Sequence, residues 1–273
     1  MTTQGCDDGP LNPHSTGKAS NDLRQFLCSA LATDFDGTLA TDGAVEEATR
    51  AALRKFRASG RKVILVTGRR ITDLSEVYPH LDDFDAIVAE NGALIYWPGD
   101  RREEPLADAP PAEFVDFLVK ANVRPVERGR VIVATIEPHQ HVVLEAIRKL
   151  GLELQVIFNK GSVMILPSGV NKATGLKQVL KALGIPSKEV IGVGDAENDH
   201  ALLDFCGLSA AVANALPALK ERASVVLAGS RGAGVAELIE GVLGHASDRM
   251  IKDDPASAPN PMPAEARSAE ARL

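Results

Sequence analysis

Asp34 and Asp36, two carboxylates one residue apart, follow a short apolar run and precede Gly37-Thr38-Leu39. At the end of a parallel strand such a pair sits at the sheet edge where α/β proteins bind ligands. Alternation in a regular strand would send the two acids to opposite faces, but Gly37 lets the chain turn so that both can face one pocket. Asp-x-Asp-Gly is also a common turn and the opening of calcium loops. The Glu expected six residues after the glycine of such a loop is missing, because that position is Gly43.

Three further segments carry groups of the same chemical kind. Val66-Thr67-Gly68-Arg69 follows the apolar run Arg61–Val66, and a hydroxyl with free N–H groups at a strand-to-helix turn makes a small anion site. Asn171-Lys172 opens a helical pattern; a lysine in the first turn opposes the helix dipole, so its placement asks for an anionic partner such as a phosphate or the paired carboxylates. Gly192-Val193-Gly194-Asp195-Ala196-Glu197-Asn198-Asp199 follows a third apolar run, and Asp195 with Asp199 offers oxygen ligands to a hard cation such as Mg2+. The dinucleotide fingerprint competes for that last segment, but its third glycine position holds Glu197, which would repel a pyrophosphate. Gly17-Lys18 lacks the earlier glycine of a phosphate-binding P-loop.

The elements that must position these groups alternate in type. Apolar runs around residues 29–35, 61–67, 85–90, 189–195, 208–213 and 224–228 are separated by amphipathic helical patterns, which predicts an α/β fold with a doubly wound parallel sheet. From about Pro98 to Leu166 the rhythm changes to helix, hairpin, helix, hairpin, with turns near Gly129 and at Asn159-Lys160-Gly161. A small α+β insert with an antiparallel sheet is expected there. Residues 1–26 and 246–273, rich in Gly, Pro, Ser, Ala and charge, read as flexible tails; the body divides into a discontinuous core, 27–96 and 167–245, and the insert, 97–166.

Composition removes several functional classes. The net charge of −7 and the lack of a Lys/Arg run leave no electrostatic footprint for nucleic acid. An anionic substrate must then be held by a metal or by local dipoles. Cys6, Cys28 and Cys206 form neither a disulfide framework nor a zinc module, as suits a reducing compartment. No signal peptide and no membrane-length apolar stretch is found, so a soluble cytoplasmic protein without membrane partners is expected. Nothing in the sequence points to a protein partner.

The ordered set Asp-x-Asp-Gly-Thr, Thr-Gly-Arg, Lys and Gly-Asp-x-x-x-Asp resembles the haloacid dehalogenase superfamily of phosphohydrolases over about residues 29–244. Only Leu39 to Gly43 separate the first segment from the next helix, whereas about 80 residues lie between Gly92 and Lys172. The insert is therefore expected late, which by the resemblance implies a C2-type cap. That position, Glu90-Asn91-Gly92-Ala93 and Gly194-Asp195-x-x-Asn198-Asp199 are similar to the Cof-type branch, which acts on sugar phosphates and phosphoglycolate.

The resemblance implies a Mg2+-dependent phosphomonoester hydrolase of a small metabolite, working through an aspartyl-phosphate. Asp34 is then the nucleophile and Asp36 the acid and base. Thr67, Gly68, Lys172 and Asn198 would hold the phosphoryl oxygens. Mg2+ would be held by Asp34, the Asp36 carbonyl and Asp195, with Asp199 behind them. Substrate choice falls to the cap and its surroundings, with Arg69, Glu90, Asn91, Arg128, Arg130, Asn159 and Lys160 as candidate contacts; packing of the cap hinge is an equal alternative for Arg69 and Glu90. A phosphomutase of the same fold and a receiver-like phospho-aspartate signalling module stay open as alternatives.

Overall fold

The computed structural model describes residues 26–252, with side chains to residue 244. Twelve strands and eight α-helices alternate along the described chain, joined by short 3-10 turns. The central strands are β1 (Ala30–Thr33), β2 (Lys62–Val66), β3 (Ala86–Ala89), β10 (Val190–Gly194), β11 (Leu208–Ala211) and β12 (Val225–Val226). They lie parallel in the order β12-β11-β10-β1-β2-β3. Their near-continuous apolar sequences follow from burial on both faces: every residue of β1, β3, β10 and β11 is buried.

Helices α1 (Glu47–Ala58) and α8 (Arg231–Lys252) pack together, as do α5 (Lys172–Leu183) and α6 (His200–Phe205). Chain direction reverses at β1: successive crossovers run outward through β2 and β3 on one side and through β11 and β12 on the other. Right-handed crossovers then place the two helix layers on opposite faces and leave a crevice beyond the carboxyl ends of β1 and β10, where ligands bind in folds of this kind. Short helices α2 (Ile71–Val77) and α7 (Pro217–Arg222) follow β2 and β11.

The change of rhythm near Pro98 marks a turn within the large sheet, and the start expected there for the insert is corrected. β4 (Leu94–Trp97) and β5 (Arg102–Pro105) add two antiparallel strands to the β3 edge, so the chain leaves the large sheet only after Pro105. Charge and a single Trp disguise this pair in the sequence: β5 is Arg-Glu-Glu-Pro, an exposed edge strand whose charges and proline discourage further pairing.

The cap follows. Helices α3 (Ala112–Lys120) and α4 (Gln140–Leu150) pack on a four-stranded antiparallel sheet of order β6-β7-β9-β8, formed by Glu127–Arg128, Val133–Ile136, Ser162–Pro167 and Leu154–Asn159. Phe114, Leu118, Val143, Val163 and Ile165 give this unit its own apolar core. A separate cluster of Ala93, Val131, Ile132, Met164 and Leu166 glues the sheet to the large domain. The cap thus rests on the crevice through buried apolar area and not through a polar hinge alone.

Of the expected tails, residues 1–25 and 253–273 lie outside the described residues, and α8 carries helix on through 246 to Lys252. Cys28 and Cys206 are free thiols, and burial pushes both up to about 12, which leaves them inert as nucleophiles at neutral pH.

Candidate active site

β1 runs into Asp34, whose N–H continues the parallel ladder to the Val193 carbonyl at 3.0 Å. The chain then folds sharply. The Phe35 carbonyl accepts N–H bonds from Thr38, Leu39 and Ala40, and Gly37 takes φ +90°. A Cβ on Gly37 would fall well inside contact with the Asp195 carboxylate, so this position needs glycine for space as well as for conformation. The turn brings Asp34 and Asp36 to one cavity, as the Gly37 argument anticipates.

Lys172 is the first residue of α5. Asn171 caps that helix reciprocally with Thr174: its Oδ1 accepts the Thr174 N–H at 3.0 Å, and Thr174 Oγ1 accepts the Asn171 N–H at 2.9 Å. The lysine, fully buried, donates to Asp34 Oδ1 at 2.5 Å and to Asp199 Oδ1 at 2.6 Å. The anionic partner that its unfavourable place in the dipole calls for is therefore a pair of aspartates.

Asp199 is spent on both oxygens. Its Oδ2 accepts the N–H groups of Asp195 and Ala196, each at 3.0 Å, closing the turn after β10. Asp195 accepts from Thr38 Oγ1 at 3.1 Å on one oxygen and from Lys160 Nζ at 3.0 Å on the other. One carboxylate oxygen from each of Asp34, Asp195 and Asp199 lies within 4.8 Å of the others, and all three residues are buried. An all-oxygen, anionic donor set of this kind fits a small hard cation such as Mg2+. Asp199, held by the fully buried Lys172 ammonium and by two backbone N–H groups, suits the outer position.

Burial raises the Asp34 carboxyl to about 7, with the Lys172 ammonium opposing the rise and Asp199 adding to it. Burial also raises Asp195, partly offset by Lys160. For Lys172 burial acts the other way, but Asp199 and Asp34 outweigh it and hold the amine protonated, above the ordinary lysine range. Three acids around one fixed ammonium leave a net negative centre, which a divalent cation would neutralise.

The remaining candidates fall into two groups. Thr67, buried at the end of β2, accepts the Arg69 N–H on its hydroxyl oxygen at 3.1 Å, and Gly68 lines the cavity beneath Met164 of the cap. Arg69 grips both oxygens of Asp36 at 2.7 Å. Asn198 donates to Asn91 Oδ1 at 3.1 Å, linking the β10 turn to the turn after β3.

Glu90, Asn91, Arg128 and Arg130 are not among the residues that line the cavity holding Asp34. Glu90 is buried, and its carboxylate accepts the N–H groups of Arg130, Val131 and Ile132 at 2.7, 2.8 and 2.8 Å. It clasps the cap loop, whose Gly129 has no room for a Cβ against it. Arg130 pairs with Glu103 at 2.6 Å, and Arg128 lines a separate recess. A Glu90→Gln variant keeps the shape but turns an NH2 group toward amide donors. We expect it to cost about 2 kcal/mol and to raise hydrogen exchange at residues 130–132 selectively.

Gly92 sets the approach of α5. With φ +107°, a Cβ there would overlap the Asn171 carbonyl, while Gly175 of the same helix lies against Val88 and Gly92. Gly92→Ala should lower stability by about 2–4 kcal/mol in urea unfolding and displace Lys172 from its two aspartates.

Several residues at the site carry no signal read from the sequence. Arg70, Asp73 and Glu127 form an ion-pair group at the cavity wall. Ile132, Met164 and Ser162 line it from the cap. Asn214 donates to the Gly37 carbonyl at 2.8 Å and accepts the Arg231 N–H at 2.8 Å. Asn214 follows β11, so the strand-end rule that finds the Asp34, Thr67 and Asp195 segments would have found it.

The haloacid dehalogenase-like hydrolase family pattern matches residues 31–126 and 131–239. A phosphoglycolate phosphatase of Methanothermobacter thermautotrophicus is 31% identical over 221 residues, covering 79% of this chain and 99% of that protein. A phosphoglycolate phosphatase of Pyrobaculum aerophilum is 32% identical over 226 residues, 80% and 97% of the two chains. Among solved structures, a Plasmodium vivax protein described as HAD/COF-like superimposes with a TM-score of 0.72 at 23% identity, over 83% of this chain and 99% of its own.

Proposed function

The chain belongs to the haloacid dehalogenase-like hydrolases, and from that footing we propose that it is a Mg2+-dependent phosphomonoester hydrolase of a small metabolite, working through an aspartyl-phosphate. The observation that carries this reading is the convergence of Asp34, Lys172, Asp195 and Asp199, from segments far apart in sequence, on one buried centre that opens to a cavity shared with Asp36.

Asp34, Asp195 and the Asp36 carbonyl would hold Mg2+, which when bound supplies positive charge to offset repulsion between the phosphate dianion and the attacking carboxylate. An Asp34 oxygen attacks phosphorus and the bond to the leaving oxygen breaks, that oxygen taking a proton from Asp36. Asp36 then removes a proton from water, the water oxygen attacks phosphorus, and the bond to Asp34 breaks to release inorganic phosphate. Lys172, the Thr67 hydroxyl and the N–H groups around Gly68 would receive the charge that builds on the phosphoryl oxygens. Arg69 holds both Asp36 oxygens at 2.7 Å. The first step requires the carboxyl to leave the guanidinium and carry a proton.

Substrate size follows from the cavity, about 280 Å3, at the small end for ligand sites. A phosphate with a leaving group of a few heavy atoms fits, of the sugar-phosphate or phosphoglycolate type. The relatives' names support phosphoglycolate. The arginines at the cavity, Arg69 and Arg70, are both paired with acids, which supports a hydroxyl-bearing group instead. Phosphate release from a metabolite panel containing both types, with and without Mg2+, tests the proposal. Turnover that requires Mg2+ is expected. Its absence on every phosphomonoester, or transfer to a second sugar exceeding release, would overturn the reading.

A further inference from the structure

We propose that Lys160 is a tethered cation that occupies the divalent-ion position, so that loading of the ion and withdrawal of the cap hairpin tip are one coupled event. The proposal rests on the reading of Asp34, Asp195 and the Asp36 carbonyl as the ion's ligands. Lys160 stands at the tip of the β8–β9 hairpin in a left-handed conformation, φ +49°, followed by Gly161 at φ +83°. From this turn its ammonium reaches across to the large domain. It donates to the Asp36 backbone carbonyl at 2.8 Å and to Asp195 Oδ2 at 3.0 Å.

Those two oxygens come from different strand ends and face each other only because the chain turns at Gly37. A Cβ on Gly37 would lie 2.9 Å from Lys160 Nζ, so the missing side chain is what opens the path. The other Asp195 oxygen is taken by Thr38, which leaves Oδ2 as the face on which a cation can sit. The acidic centre therefore holds two ammonium groups of different kinds. Lys172 is buried and fixed at the start of a core helix, whereas the Lys160 side chain is half exposed and belongs to the cap.

An ion that bonds oxygens at about 2.0–2.1 Å cannot share the Asp36 carbonyl and Asp195 Oδ2 with an ammonium already in hydrogen-bond contact with both. Like charge adds to the steric exclusion. The ion must displace Lys160, and the hairpin tip then loses these two hydrogen bonds to the large domain. Asn159, beside it, lines the cavity that holds Asp34, so release of the tip alters the wall against which a substrate rests. The consequence is a penalty on ion affinity in the wild-type chain that a neutral residue removes.

Calorimetric titration of the full chain with MgCl2 tests this on the wild type, Lys160→Gln and Asp195→Asn, with hydrogen exchange at residues 158–162 as a second readout. Lys160→Gln should bind Mg2+ between about 1.5-fold and fivefold more tightly than wild type, the range expected for a half-exposed ion pair. Mg2+ should raise exchange at the tip in wild type, whereas Lys160→Gln should exchange fast with or without the ion. Equal affinity in wild type and Lys160→Gln, with binding lost in Asp195→Asn, would overturn the role of Lys160 and leave the metal site standing. No Mg2+ binding in either wild type or Lys160→Gln would overturn both.

Discussion

Replacing Asp34 by Asn should lower kcat by about 10^4-fold or more while the protein stays folded. The amide has nearly the shape of the carboxylate and can still accept the Lys172 hydrogen bond, and Lys172 keeps Asp199 at 2.6 Å as its charged partner. What is lost is the oxygen proposed to attack phosphorus. Because burial raises Asp34 to about 7, the folded state also ceases to carry a carboxyl that is costly to ionise, so the melting temperature at pH 8 should rise and not fall. The sign is definite: a carboxyl raised above its unfolded value opposes folding as pH climbs, and Asn removes that opposition. Phosphate release and a thermal melt on the same preparation separate the two effects.

Lys172→Met should be damaging in both respects. The side chain is fully buried between Asp34 and Asp199, so removing its charge strands two carboxylates in a low-dielectric centre. Breaking a buried ion pair from one side costs about 3–5 kcal/mol. Activity should fall with it, since Lys172 is the fixed positive group beside the Asp34 oxygen proposed to attack phosphorus. Stability should recover partly on acidification, as Asp34, already raised by burial and now without the opposing ammonium, takes up a proton and no longer needs a counter-charge. Urea unfolding at pH 5 and pH 8 measures this: the deficit relative to wild type is expected to shrink at the lower pH, where protonation offsets the missing ammonium.

The convergence of the core groups was legible because a parallel α/β topology carries the ends of its strands to one edge. Once Asp34, Thr67 and Asp195 are each assigned to a strand end, the fold itself brings them together. Lys172 was legible for another reason: its charge conflicts with the helix dipole unless something anionic faces it. The cap contacts were not legible in this way. Arg130, Lys160 and Glu90 sit at turns and Arg128 ends a two-residue strand beside one, and a charged residue there has the same local signature whether it meets solvent, a cavity or another domain. Only the docking of the cap decides that Glu90 clasps three backbone amides and that Lys160 reaches Asp195. β5 was hidden for a related reason, since its pairing with β4 is specified by register and not by an apolar pattern.

The most direct test of the proposed chemistry is to trap the phosphorylated enzyme. Wild-type protein mixed with a phosphate-labelled substrate from the panel in the presence of Mg2+ is quenched in acid within milliseconds, digested and mapped. The label should appear on the peptide containing Asp34, decay as inorganic phosphate forms, and be absent from Asp34→Asn. Full-rate phosphate release from a protein that never carries label, or label on any other residue, would contradict attack by Asp34.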